Sequence, residues 1–138
     1  MPRNVKLQGV MDGRIVRAMD DGEDFGYIPV QLKVVTAAGA TNTVALTMDR
    51  AVTVTDVMAR NTGGAGTSSD TLQLKNGSTA ISDALDMNIA DNLIARAASI
   101  DDAQHEIAAG GTLNVTATDG GGSDVRAMIV YISGFYHK

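Results

Sequence analysis

Val125-Arg126-Ala127-Met128-Ile129-Val130-Tyr131-Ile132-Ser133-Gly134-Phe135-Tyr136 is the longest uninterrupted run of strand-favouring residues in the chain, dominated by β-branched and aromatic side chains. A strand turns successive side chains to opposite faces. One face therefore carries Val125, Ala127, Ile129, Tyr131 and Ser133, and the other Arg126, Met128, Val130, Ile132 and Gly134. From Met128 to Ile132 both faces are apolar, which predicts cover on both sides. One cover is the domain's own core. The other is either a neighbouring element or another molecule, and in the second case Met128, Val130, Ile132 and Tyr131 are the expected subunit-interface residues.

Working back from that strand, the chain from Tyr27 onward alternates with the same period of two. Val30, Leu32 and Val34 alternate with Gln31 and Lys33, and Val44, Leu46 and Met48 with Thr43, Ala45 and Thr47. Val52 and Val54 oppose Thr53 and Thr55. Leu72 and Leu74 alternate with Thr71, Gln73 and Lys75, and Asn76-Gly77 is a hairpin turn signal. Leu113, Val115 and Ala117 alternate with Thr112, Asn114 and Thr116. These are half-buried antiparallel strands with a threonine-rich wet side. Short strands at near-regular spacing, punctuated by Gly-rich loops, predict an all-β antiparallel sandwich over residues 27–138. A jelly-roll-like arrangement fits best, because the late strands must return to pair with early ones. Between Ser78 and Ala109, Ile81, Ala84, Leu85 and Asn88 fit one helical face, with Ser82-Asp83 as its cap. A short helix or turn followed by irregular strands is expected there.

Residues 1–26 show no sustained period and form an extended N-terminal arm in this reading. The formal charge of −5 is unevenly spread. Met1 to Met19 holds Arg3, Lys6, Arg14 and Arg17 against Asp12 alone, a net +3, whereas the remainder holds 7 basic and 15 acidic residues, a net −8. An acidic body repels nucleic-acid phosphates, so no nucleic-acid partner is expected. Asp20-Asp21-Gly22-Glu23-Asp24 reads as a solvated acidic hinge. The arm is either a disordered tail or a docked one; a docked arm is the expectation, with Arg3, Lys6, Leu7, Arg14, Ile15 and Arg17 as its contact residues.

The chemistry of an enzyme is hard to find. There is no cysteine, hence no disulfide, thiolate nucleophile or zinc-thiolate site. Asp101, Asp102, His105 and Glu106 would suit a metal at helical spacing. Ile100 and Ile107 bracket them as a surface turn, and that reading is preferred. Gly63-Gly64-Ala65-Gly66-Thr67 has no following lysine and is flanked by strands, which excludes a phosphate-cradling loop. Asp119 to Asp124 offers two carboxylates around a glycine run, better read as a hairpin loop than as a calcium site. No serine has the flanking glycines of a nucleophile elbow. No apolar run approaches a membrane span of roughly 18 residues. The expectations are no catalysis, no cofactor, no metal, no membrane partner, and synthesis in a cytoplasm.

Val52-Thr53-Val54-Thr55-Asp56-Val57, Leu72-Gln73-Leu74-Lys75-Asn76-Gly77, Ile81-Ser82-Asp83-Ala84-Leu85, Ala95-Arg96-Ala97-Ala98-Ser99-Ile100-Asp101-Asp102-Ala103 and Ile107-Ala108-Ala109-Gly110-Gly111-Thr112-Leu113-Asn114-Val115 carry a compositional resemblance. From Tyr27 to the C-terminus the chain resembles small capsid decoration (cement) proteins of tailed bacteriophages. That resemblance implies a jelly-roll-like sandwich on the outer surface of a virion, a dimer or, as expected here, a trimer that staples neighbouring major capsid proteins. The basic arm matches no signature of the family; its role as the shell-binding segment is an inference from charge. The alternative is a β-sandwich head of a fibre or adhesin that binds a receptor or glycan through loops such as Asn61 to Ser69.

Overall fold

The computed structural model describes residues 27–63, 69–121 and 125–137. The expected arm, residues 1–26, lies outside the described residues. Within them the chain forms β1 (Tyr27–Thr36), β2 (Asn42–Thr47), β3 (Val52–Asn61), β4 (Thr71–Asn76), β5 (Thr79–Ala80), β6 (Leu85–Asp86), β7 (Ile94–Arg96), β8 (Glu106–Ile107), β9 (Thr112–Thr118) and β10 (Met128–His137). One sheet runs β1-β10-β3-β7 with β8 also on β3, and the other runs β2-β9-β4-β5 with β6 also on β4. All pairings are antiparallel. The first long strand pairs with the last and the second with the last but one. This nested return is the jelly-roll order, and it makes the fold the all-β sandwich that the alternation predicts.

Each long strand buries its apolar set between the sheets. Leu72, Leu74, Leu113, Val115 and Ala117 from one sheet meet Val52, Val54, Val57, Ala59, Met128, Val130 and Ile132 from the other, in a single core. Full burial of a Leu or Val side chain contributes about 2 kcal/mol. Thr36 is buried among them without loss, because its hydroxyl accepts a hydrogen bond from the Met128 backbone N–H at 3.2 Å. Asn61 at the end of β3 is likewise enclosed and bonded: its amide donates to the Ile89 carbonyl at 2.7 Å and its carbonyl accepts from Gly63 N–H at 2.9 Å.

Strand β3 does not keep one phase. Val52 and Val54 face the core, then Val57, Ala59 and Asn61 do, with Thr55 and Asp56 both outside that set. The pairing with β10 shifts there: Ser133 opposes Asp56, and Gly134 opposes Val54. Thr55 is thus the extra residue of a β-bulge. Gly134 is what lets the two strands close, since a side chain at that position would drive into the Thr53 carbonyl.

The helix expected from Ser82 does not form; the described residues contain no helix. Side-chain to backbone bonds hold the segment extended instead, the competition that disfavours Ser and Asp inside helices. The Ser82 hydroxyl accepts from Leu74 N–H at 3.1 Å and donates to the Asp83 carbonyl at 2.8 Å, and the Asp83 carboxylate accepts from Ser99 N–H at 3.1 Å. Ile81, Leu85 and Met87 are buried while Ala84 and Asn88 are exposed, which is strand-like rather than helical spacing. The Asn76-Gly77 signal does mark a hairpin: Asn76 pairs with Thr79, so Gly77 and Ser78 form a two-residue loop, with Gly77 at φ 60°.

Replacing Gly134 with alanine is expected to destabilise the fold by about 3 kcal/mol, because the added methyl meets backbone and neither strand can yield. Urea unfolding checks this, and a change within 0.5 kcal/mol would mean the bulge is not held as described.

Candidate functional site

The two sheets present unlike surfaces to the outside. Across β2, β9 and β4 the outward positions are Thr43, Ala45 and Thr47, then Thr112, Asn114 and Thr116, then Thr71, Gln73 and Lys75. Thr43 and Thr116 hydroxyls bond to each other at 3.1 Å. This face is the threonine-rich wet side, and it is at home in water.

The other outer face is not. The register aligns Val35 on β1 with Ile129 on β10, Arg60 on β3 and Ile94 on β7 in one row. The next row is Lys33, Tyr131, Met58 and Arg96. Val35 is 57% exposed, Ile94 58% and neighbouring Leu93 55%, with Ile129, Tyr131 and Met58 half-buried between them. Scattered exposed apolar residues need no explanation, but a contiguous group on one sheet face marks a contact surface. Its charged rim is basic. Arg96 forks onto Asp56, Nη2 to Oδ2 at 2.9 Å and Nε to Oδ1 at 3.0 Å, and this hydrogen bond together with the carboxylate's charge raises the pKa of Arg96. Arg60 donates to the Asn92 side chain at 2.8 Å. Among the described residues Lys33, Arg60 and Arg96 carry this rim, with Asp56 on Arg96 and Asp91 bonded to the Asn92 that Arg60 meets, which leaves a basic island on an acidic body.

Of the residues expected at a subunit seam, three are elsewhere. Met128 and Val130 are fully buried and Ile132 is 2% exposed, all within the chain's own core. A side chain enclosed by its own second sheet has no surface to offer a neighbour, so these three are core residues and not seam residues. Tyr131 does face outward, half-buried in the apolar face. The arm residues Arg3, Lys6, Leu7, Arg14, Ile15 and Arg17 lie outside the described residues. Val35 and Ile94 were missed. Their signal was present, in the adjacent pairs Val34-Val35 and Leu93-Ile94, where alternation leads one to expect a polar partner.

Asp101, Asp102, His105 and Glu106, weighed as metal ligands and preferred as a surface turn, do not converge. Asp101 closes its own turn, accepting from Ala103 N–H at 2.8 Å. His105 Nδ1 is 3.9 Å from a fully solvated Asp102 carboxylate. Among the described residues no three His, Cys, Asp or Glu side chains gather as metal ligands would. In the loop after β9, the Asp119 carboxylate accepts from Gly121 N–H at 2.7 Å, and residues 122–124 lie outside the described set.

At the far end of the same outer face is a shallow depression of about 410 Å³, lined by Tyr27, Thr53, Thr55, His105, Glu106 and Phe135. His137 adjoins it: Thr53 Oγ1 lies 2.6 Å from His137 Nε2, and Glu106 Oε2 lies 3.4 Å from the same nitrogen. A hydroxyl, an imidazole and a carboxylate together invite comparison with a nucleophilic relay. The geometry differs, because a relay needs the hydroxyl and the carboxylate on opposite ring nitrogens. Here both meet Nε2, so the arrangement does not draw a proton from Thr53 toward Glu106. No protein-family model, no curated protein and no solved structure matches this chain.

The inner and outer faces of the β1-β10-β3-β7 sheet should respond differently to truncation. Met128→Ala is expected to cost about 3 kcal/mol through the cavity it leaves, whereas Ile94→Ser on the outer face should stay within about 0.5 kcal/mol. Chemical denaturation in dilute solution reads both; equal costs would contradict the assignment of inner and outer faces.

Proposed function

We propose that this protein is a non-catalytic assembly module, a decoration protein that packs on the outer surface of a tailed-phage head and joins neighbouring major capsid proteins. The observation that carries the reading is the contrast between its outer faces, one built for water and the other apolar with a basic rim. A rigid sandwich with one adhesive face supplies what a stapling protein requires, namely shape and contact rather than reactive groups. The jelly-roll order is compatible with this use, since viral shell proteins are among the proteins that adopt it, although lectins and cupins share it too.

In this reading the first occupant of the apolar face is a sister copy. Two such faces meeting about a twofold axis would set Lys33, Arg60 and Arg96 against their own counterparts. A head-to-tail contact instead brings the basic island onto the acidic remainder of a neighbour, and closed head-to-tail contacts make rings. A trimer is therefore favoured over a dimer. Repetition of the contact around a symmetric shell multiplies weak affinity through effective concentration. The basic segment Arg3 to Arg17 serves as the element that reaches a capsid protein, by adding a strand to a sheet edge or by pairing with acidic side chains.

Val35→Asp combined with Ile94→Asp should convert an oligomer to a monomer without unfolding it. Sedimentation velocity checks this, and a wild-type protein that stays monomeric at high concentration would remove the self-association half of the reading. Deleting residues 1–24 should leave a folded body that no longer binds expanded heads in a co-sedimentation assay; undiminished binding would instead place shell recognition on the sandwich.

A further inference from the structure

The depression at the Tyr27 end of the outer face has the chemistry of a cation site. Tyr27 and Phe135 rings stand 6.2 Å apart at 69°, edge to face, and the Tyr27 ring also stands at 90° to the His137 ring 5.2 Å away, so the lining is aromatic but offers no single flat platform for a sugar ring. Glu106 has a side chain 61% exposed, and among the described residues its carboxylate meets His137. Among the described residues no lysine or arginine pairs with that carboxylate, and none lines the depression. The chain already uses this chemistry one residue further along β10, where the Arg50 guanidinium sits 5.8 Å over the Tyr136 ring.

We propose that the depression binds a guanidinium group, and that its occupant is the chain's own basic segment at Arg14 to Arg17. The argument for that occupant is charge and tether. Nine residues separate Arg17 from Tyr27, whose ring forms one wall of the site. Such a stretch spans up to roughly 30 Å, ample for a return onto the same sheet end. The tether holds the arginines near the site at an effective concentration of about millimolar. Glu106 repels the carboxylates of Asp20 to Asp24 and attracts a guanidinium, which favours the arginines over the acidic run as the occupant. The inference goes beyond the function proposed above and does not depend on it, since it concerns the isolated protein in solution.

Limited trypsin digestion of the full-length protein tests the contact, because cleavage after Arg14 or Arg17 requires that backbone to be free. Glu106→Gln should speed cleavage at both positions about fivefold, and Phe135→Ala should do the same, with far-UV circular dichroism unchanged. Wild-type protection should persist through a roughly hundredfold dilution, as an intramolecular contact must. Equal cleavage in wild type and Glu106→Gln overturns the proposal. Protection lost on dilution overturns the intramolecular occupant and assigns the arginines to a second copy. An independent readout is the NMR signals of Phe135 and His137, which should move on Arg14→Gln and Arg17→Gln substitution. Signals that ignore those substitutions but shift with a panel of monosaccharides would make the depression a sugar site and end the cation reading.

Discussion

Strand β10 is hydrogen-bonded on both sides while one of its faces closes the core, and the rest of the sandwich is arranged to make that possible. β1 and β3 flank it along nearly its whole length, from Met128 to His137 on one side and from Met128 to Tyr136 on the other. A last strand can take this central position only if the chain has left a gap between its first and third strands, which is what the nested order does. The arrangement places most of the pairings between residues distant in sequence, the kind of topology that folds slowly. It also explains why Met128, Val130 and Ile132 are as enclosed as any residue in the chain: they sit in the middle of a sheet whose inner face is covered by β2, β9 and β4.

The second apolar side of that strand has a different fate. Ile129 and Tyr131 gain partial cover from Val35, Met58 and Ile94 in the same sheet, but nothing in the chain's described residues lies over them. Partial cover by neighbours within a sheet lowers the cost of leaving such a face in water without removing it. The opposite outer face shows that the sequence can build a wet sheet surface, using threonine at position after position. Retaining aliphatic residues on one face alone is thus a property of that face, and a basic rim on an acidic protein gives it direction as well as adhesion.

The period-two alternation made the sandwich and its long strands legible from sequence, and the two-sided apolarity of Met128 to Ile132 marked the strand that matters most. A two-sided strand needs two covers; its inner side is covered intramolecularly, and Ile129 and Tyr131 remain as its outward apolar residues. The helix read into Ser82 to Asn88 shows the limit of pattern alone. Ile81 and Leu85 are four apart and fit a helical face, yet the same spacing serves two buried points on an irregular extended segment, and the hydroxyl and carboxylate of Ser82 and Asp83 decided between them. The bulge has a signal in the sequence. Thr55-Asp56 puts two polar residues between Val54 and Val57, and a broken alternation inside an otherwise regular strand is how an extra residue shows itself. The depression had none, because Tyr27, Glu106 and Phe135 are brought together only by register.

That register is where the fold and the surface become one problem. The bulge at Thr55 re-phases β3, so the outer residues beyond it follow a different line from those before it. On one side of the break the outer face of β10 meets Met58 and Arg60 and forms the apolar patch. On the other side Phe135 meets Thr53, with the extra residue Thr55 on the lining of the depression. Were Thr55 paired in a regular ladder instead of bulged out, Val57, Ala59 and Asn61 would all turn outward and Met58 and Arg60 inward, burying a guanidinium in the core. Gly134 permits the break by having no side chain to oppose the Thr53 carbonyl. One missing methyl on the central strand therefore keeps the core apolar and divides a single sheet face into an adhesive end and a recessed, acidic-aromatic end.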